Sequence, residues 1–131
     1  MDHAARLAEL IAAGRRGDAV EYFQRQLVGL PEDVIVQVRG APFRPALERI
    51  AQTLVYDATI LGDQSIPSAL AASIATPTLV IAGGAGPHFM RQSAEALADA
   101  LPHGEVCILE DQSHELVPAV LGPVLEAFFP R

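Results

Sequence analysis

Pro77-Thr78-Leu79-Val80-Ile81-Ala82-Gly83-Gly84-Ala85-Gly86 is a short apolar, β-branched run that ends in a glycine-rich turn. Apolar residues in succession, rather than in alternation, mark a strand covered on both faces, as in a parallel sheet. Toward the carboxyl end, Met90, Ala94, Leu97, Ala98 and Leu101 recur at helical spacing, and Pro102-His103-Gly104 stops that helix. Val106-Cys107-Ile108-Leu109 reads as a second strand, and Asp111-Gln112-Ser113-His114 as a polar loop. Val117, Leu121, Val124, Leu125 and Phe128 then fall on one side of a last helix. Strand, helix, strand, helix implies a right-handed crossover and a parallel pair, hence an α/β class.

Toward the amino end the texture is helical. Leu7, Leu10 and Ile11 form one apolar face, and Gly14 and Gly17 bracket Arg15-Arg16 as a stop and restart. Asp18 opens a second helix with Val20, Phe23 and Leu27 on its face, and Gly29 ends it. Pro31, Glu32 and Asp33 suit the first turn of a third, although Val34-Ile35-Val36 taken alone also fits a strand. After Pro45 one helix is expected through Leu47, Ile50, Ala51 and Leu54 to about Tyr56. Gly62-Asp63-Gln64-Ser65 reads as a turn, and Pro67 to Ser73 as a short helix. Helices with no strand between them should form a separate layer or cap.

The chain has 131 residues, which fits one domain spanning 1–131, with a helical part at 1–60 and an α/β part at 74–131. Half of its residues are hydrophobic, so a disordered chain is excluded. A formal charge of −7 without a Lys/Arg stripe argues against nucleic acid and serves solubility instead. The single cysteine, Cys107, lies in a strand and reads as a buried, inert thiol. No secretory signal and no apolar run near the roughly 20 residues of a membrane helix is found, so the expected location is the cytoplasm. No His, Cys, Asp or Glu set has metal-ligand spacing, and Gly83-Gly84-Ala85-Gly86 fits a tight turn better than a phosphate cradle. Neither metal nor cofactor is expected.

The order of features from Ile74 to Phe129 resembles the last strand–helix–strand–helix of the α/β-hydrolases. Ile74 to Gly83 resembles that family's penultimate strand, Ala94 to Pro102 the helix after it, and Val106 to Leu109 the final strand. Ser113-His114 matches the histidine that follows, and Pro123 to Phe129 the closing helix. Leu7 to Asp57 resembles, more weakly, the helical cap inserted before the penultimate strand. The resemblance therefore implies a partial α/β-hydrolase fold: a short parallel sheet of two strands with a helical cap, as in a truncated member. The family's amino-terminal half, with most of the sheet, the oxyanion loop and the G-x-S-x-G elbow, has no counterpart. None of Ser65, Ser68, Ser73, Ser93 and Ser113 stands in such a frame. The family's acid usually lies just past the penultimate strand, where this chain has Gly83 to Pro87 and no carboxylate.

Of the triad, His114 alone carries over. A histidine can take and return a proton near neutral pH, provided a partner orients its other nitrogen. Asp57 is expected after the cap helix, facing the mouth of a site with Tyr56, and Glu110 and Asp111 precede His114. His88, at a helix start after the glycine turn, is a candidate second polar group of the pocket, and Arg44 a candidate partner for a ligand carboxylate. Each of these also reads as an ordinary solvated loop or helix-end residue.

Three functions fit. One is a non-hydrolytic lyase, isomerase or cyclase step on a small apolar molecule, with His114 as general acid or base and no serine nucleophile. Another is a hydrolase half that a partner chain completes, and the third a non-catalytic binding or structural protein. Two parallel strands with open edges recruit further strands, so a homodimer, or a partner carrying the missing half, is expected.

Overall fold

A computed structural model describes residues 2–115 and 117–129 of the chain. It divides into two compact units, Met1–Ser65 and Ile66–Arg131. The division falls at the expected turn, where Gly62 (φ 56°) and Gln64 (φ 63°) adopt positive φ.

The first unit is helical. Helix α1 (His3–Ala12) is capped by Asp2, whose side chain accepts from the Ala5 N–H at 3.0 Å. It buries Leu7 and Leu10 against Ala19 and Ala58, with Phe23, Leu27 and Val55 packed around them. Fully burying a leucine contributes roughly 1.5–3 kcal/mol, so this cluster anchors the unit. Gly14 ends α1 at φ 73°, a conformation that favours glycine. Helix α2 (Arg16–Phe23) widens into a π-turn at Gln24–Val28, and Gly29 closes it at φ 74°. In α3 (Glu32–Arg39) Ile35 is buried and Val36 exposed, so the Val34-Ile35-Val36 run is helix and not strand.

Two expectations for this unit need correction. Gly17 does not separate helices: it lies inside α2, which begins at Arg16. A Cβ there would stand 3.0 Å from the Glu48 carboxylate and 3.1 Å from the Arg44 guanidinium, so glycine leaves room for those side chains. Nor does one helix run from Pro45 to Tyr56. It breaks at Ile50 into α4 (Arg44–Arg49), a tight turn at Ala51–Thr53, and α5 (Leu54–Leu61). Arg16 braces the break. Its Nη1 donates to the Glu48 and Arg49 carbonyls at 3.1 and 3.0 Å, satisfying acceptors that a helix end leaves open.

The second unit is α/β. A short helix, α6 (Ser68–Ala71), precedes β1 (Thr78–Gly83), α7 (His88–Ala100), β2 (Gly104–Leu109) and α8 (Pro118–Phe128). The strands pair in parallel, Thr78 with Gly104 through Gly83 with Leu109. Helix α7 lies on both strands and buries Ala94 and Ala98. Close packing requires Gly104 at the start of β2, because a Cβ there would overlap the Ala98 carbonyl. No described residue of β1, β2 or α8 is fully buried, and Glu105 and Val106 of β2 are exposed. The fold class and the two-strand sheet agree with the sequence reading.

Candidate functional site

Both strands end at one rim. After β1 the chain turns through Gly84, Ala85 and Gly86, and after β2 it runs through Glu110 to Glu115. Backbone hydrogen bonds tie the two loops together. The Gly84 N–H donates to the Leu109 carbonyl at 2.9 Å, and the Ala85 N–H to the Gln112 carbonyl at 3.0 Å. The Gln112 N–H closes its own turn on Leu109 at 3.0 Å. His114 follows directly, exposed, on the loop beyond the carboxyl end of a parallel strand, the side on which open α/β sheets bind ligands.

A cavity of about 510 Å³ opens beside it. Ile81, Ala82, Met90, Ala94, Leu109 and Leu121 make an apolar wall, with Phe89 and Val117 at its edge. Gln112, Ser113, His114 and Glu115 supply polar groups from one loop, and Ser93 adds a hydroxyl from α7. The lining is amphipathic, with an apolar wall on one side and the polar loop that carries His114 on the other.

The acids near His114 differ in their engagements. Arg91 donates to Glu95 at 3.0 Å and to Glu110 at 3.3 Å. The hydrogen bond to Glu95, then the charge of Glu110, raises the Arg91 pKa, so Glu110 faces a cation rather than the imidazole. The Ser113 hydroxyl accepts from the Glu115 N–H at 3.2 Å, which stiffens the loop around His114. Among the described residues no group hydrogen-bonds the His114 imidazole or the Asp111 carboxylate.

The other candidates are placed as follows. His88 is the first residue of α7 and exposed, and it does not line the cavity; its neighbours Phe89 and Met90 do. Asp57 does not follow a helix, as expected, but lies within the first turn of α5, exposed beside Tyr56, which is 62% exposed. Arg44 is turned inward and only 6% exposed. Its guanidinium donates to the Gly17 carbonyl at 2.7 Å, to Glu48 at 2.8 Å and to Glu21 at 3.2 Å. Those acceptors engage Nε and Nη2 of the group that was expected to meet a ligand carboxylate, while its buried Nη1 has no partner among the described residues. Among the described residues no cluster of three His, Cys, Asp or Glu could hold a metal ion. No described helix is long and apolar enough to cross a membrane.

Phe89, Ser93 and Gln112 were not singled out from the sequence. Phe89 and Ser93 sit one position before Met90 and Ala94, whose i, i+4 spacing was visible. An apolar face two residues wide was therefore the available signal for the cavity wall.

No protein-family model matches the chain, and no curated protein does. Among solved structures, the chain is similar to the crystal structure of an alpha/beta hydrolase from Sphaerobacter thermophilus DSM 20745, at 46% identity and a TM-score of 0.85. The match covers 98% of this chain and 50% of that one, so the chain spans about half the length of the protein it matches.

Proposed function

Since the chain belongs to the α/β-hydrolase family, we propose that it is the cap-and-histidine half of such a hydrolase, with His114 as the general base of acyl transfer. The observation that carries this is His114 itself, exposed at the carboxyl end of β2 on the polar loop of an otherwise apolar cavity. In this role His114 takes the proton of a nucleophilic hydroxyl and returns it to the leaving group. The nucleophile and the oxyanion donors belong to the half of the fold that this chain does not span. That half also extends the sheet. The apolar wall and polar rim of the cavity fit a small apolar ester or amide.

The test is reconstitution. The chain is mixed with a polypeptide matching the uncovered half of the Sphaerobacter thermophilus protein. The mixture should hydrolyse p-nitrophenyl butyrate and take a fluorophosphonate label, and neither component alone should do so. A lyase, isomerase or cyclase reaction run by the isolated chain and lost in His114→Ala would instead support the non-hydrolytic reading. Light scattering on the isolated chain separates a homodimer from a partner of different sequence.

A further inference from the structure

The glycine turn after β1 occupies the place where the family usually keeps its acid, and here it is built to hold a loop. A Cβ on Gly83 would overlap the Ser113 carbonyl and stand 2.5 Å from that of Gln112. One on Gly84 would stand 2.8 Å from the Glu110 Cα, and one on Gly86 3.5 Å from the His114 backbone nitrogen. None of the three has the positive φ that favours glycine. Contact with the facing loop, rather than a left-handed turn, therefore excludes side chains at Gly83 and Gly84, while Gly86 lies at ordinary contact distance from it. The Ala85 N–H completes the seat by donating to the Gln112 carbonyl at 3.0 Å.

We infer that this turn, through Gly83 and the Ala85 N–H, is a positioning device that fixes the height and direction of the His114 loop at the cavity. Gly83 and Ala85 are positioning residues: neither needs to touch substrate, and both act through the backbone of residues 112–114. A general base must stand within hydrogen-bond reach of the proton it takes, and a displacement of about 1 Å can cost a hundredfold in rate. A loop seated backbone to backbone is the stiffest available support, because no rotamer intervenes.

The catalytic arm rests on the reading of His114 as general base; the spectroscopic arm does not. Gly83→Ala removes the room, and Ala85→Pro removes the N–H. Gly122→Ala is the control, since apart from its own helix backbone and its chain neighbours nothing lies within 4 Å of a Cβ there. By NMR, both turn variants should shift the His114 imidazole Cε1–H and backbone amide resonances while keeping a dispersed spectrum, and Gly122→Ala should not. In the reconstituted hydrolase each should lower kcat at least tenfold with KM within twofold, the pattern of a misplaced group rather than a lost binding surface. In the unsubstituted chain the Ala85 amide should exchange with solvent at least tenfold more slowly than in a free peptide. This last measurement decides even if both variants fail to fold. An Ala85 amide exchanging at the peptide rate, or a folded Ala85→Pro with unchanged His114 resonances and kcat, overturns the inference. If His114→Ala keeps full turnover, the general-base reading falls while the resonance shifts still judge the seat.

Discussion

His114 is exposed and bonded to no described group, so its removal should cost chemistry and not stability. In the reconstituted hydrolase, His114→Ala should lower kcat/KM by at least about 1,000-fold, as loss of a catalytic base does. Its urea midpoint should stay within error of the parent's, because an exposed substitution shifts stability by only about 0.5 kcal/mol. A second residue shows the opposite profile. Glu21 receives both nitrogens of the Arg39 fork at 2.7 Å and Arg44 at 3.2 Å. The Arg39 hydrogen bond foremost, and then the charges of Arg39 and Arg44, hold its carboxyl below the ordinary 4.5. A folded-state pKa below the unfolded one contributes stability that is present above about pH 4.5 and lost as pH falls through the folded value. The urea midpoint of the parent should therefore fall below that pH more steeply than that of Glu21→Gln. Equal slopes would contradict the assignment. Arg44→Met should destabilise by about 2 kcal/mol, less than the full cost of breaking a buried pair because Arg39 remains on Glu21. None of this pairing was legible in the sequence, since Glu21 lies far along the chain from Arg39 and Arg44. The packing of α4 on α2 brings Arg44 to Glu21, and Arg39 reaches it from the end of α3. The place of His114 on a loop past β2 was legible, because the apolar run Val106 to Leu109 and the polar run after it mark a strand and its exit without tertiary information.

At the scale of elements, β1, α7 and β2 were readable because parallel strands are apolar on both faces and the helix between them has a clean period. The break between α4 and α5 was not. Leu47, Ile50, Ala51 and Leu54 keep a helical spacing across it, and the Glu48 and Arg49 carbonyls it leaves open are taken by the distant Arg16 guanidinium, a contact no local pattern shows. Asp57 was expected beyond a helix and is found inside one because α5 runs on to Leu61, past the expected end at Tyr56. Two glycines test how these elements pack. Gly104→Ala pushes a methyl into the Ala98 carbonyl and the Leu101 side chain and should cost more than about 2 kcal/mol in urea unfolding. Gly122→Ala, directly before Pro123 in α8, meets no other part of the chain within 4 Å and should change stability by less than about 0.5 kcal/mol, because the better helix preference of alanine is offset by the proline ring beside the new methyl. A larger cost at Gly122 than at Gly104 would mean that α8, and not the junction of α7 with β2, is the tightly packed contact.

On the scale of the whole molecule, the second unit has a sheet that its own residues only half cover. Parallel strands are usually sheltered on both faces, and a two-stranded sheet is marginal by itself. β2 carries the exposed Glu105, a charge of the kind that blunts a free edge, whereas β1 is apolar from Leu79 to Ala82. The edge of β1 is therefore the one on which further strands should add. The chain spans about half the length of a protein to which it is 46% identical. His114 is proposed to work only in a completed fold. Reconstitution tests it most directly, as p-nitrophenyl butyrate hydrolysis by the chain with and without the complementary half. Activity should appear only in the mixture and vanish with His114→Ala. A mixture that associates yet stays inactive, or one in which His114→Ala is fully active, would contradict it.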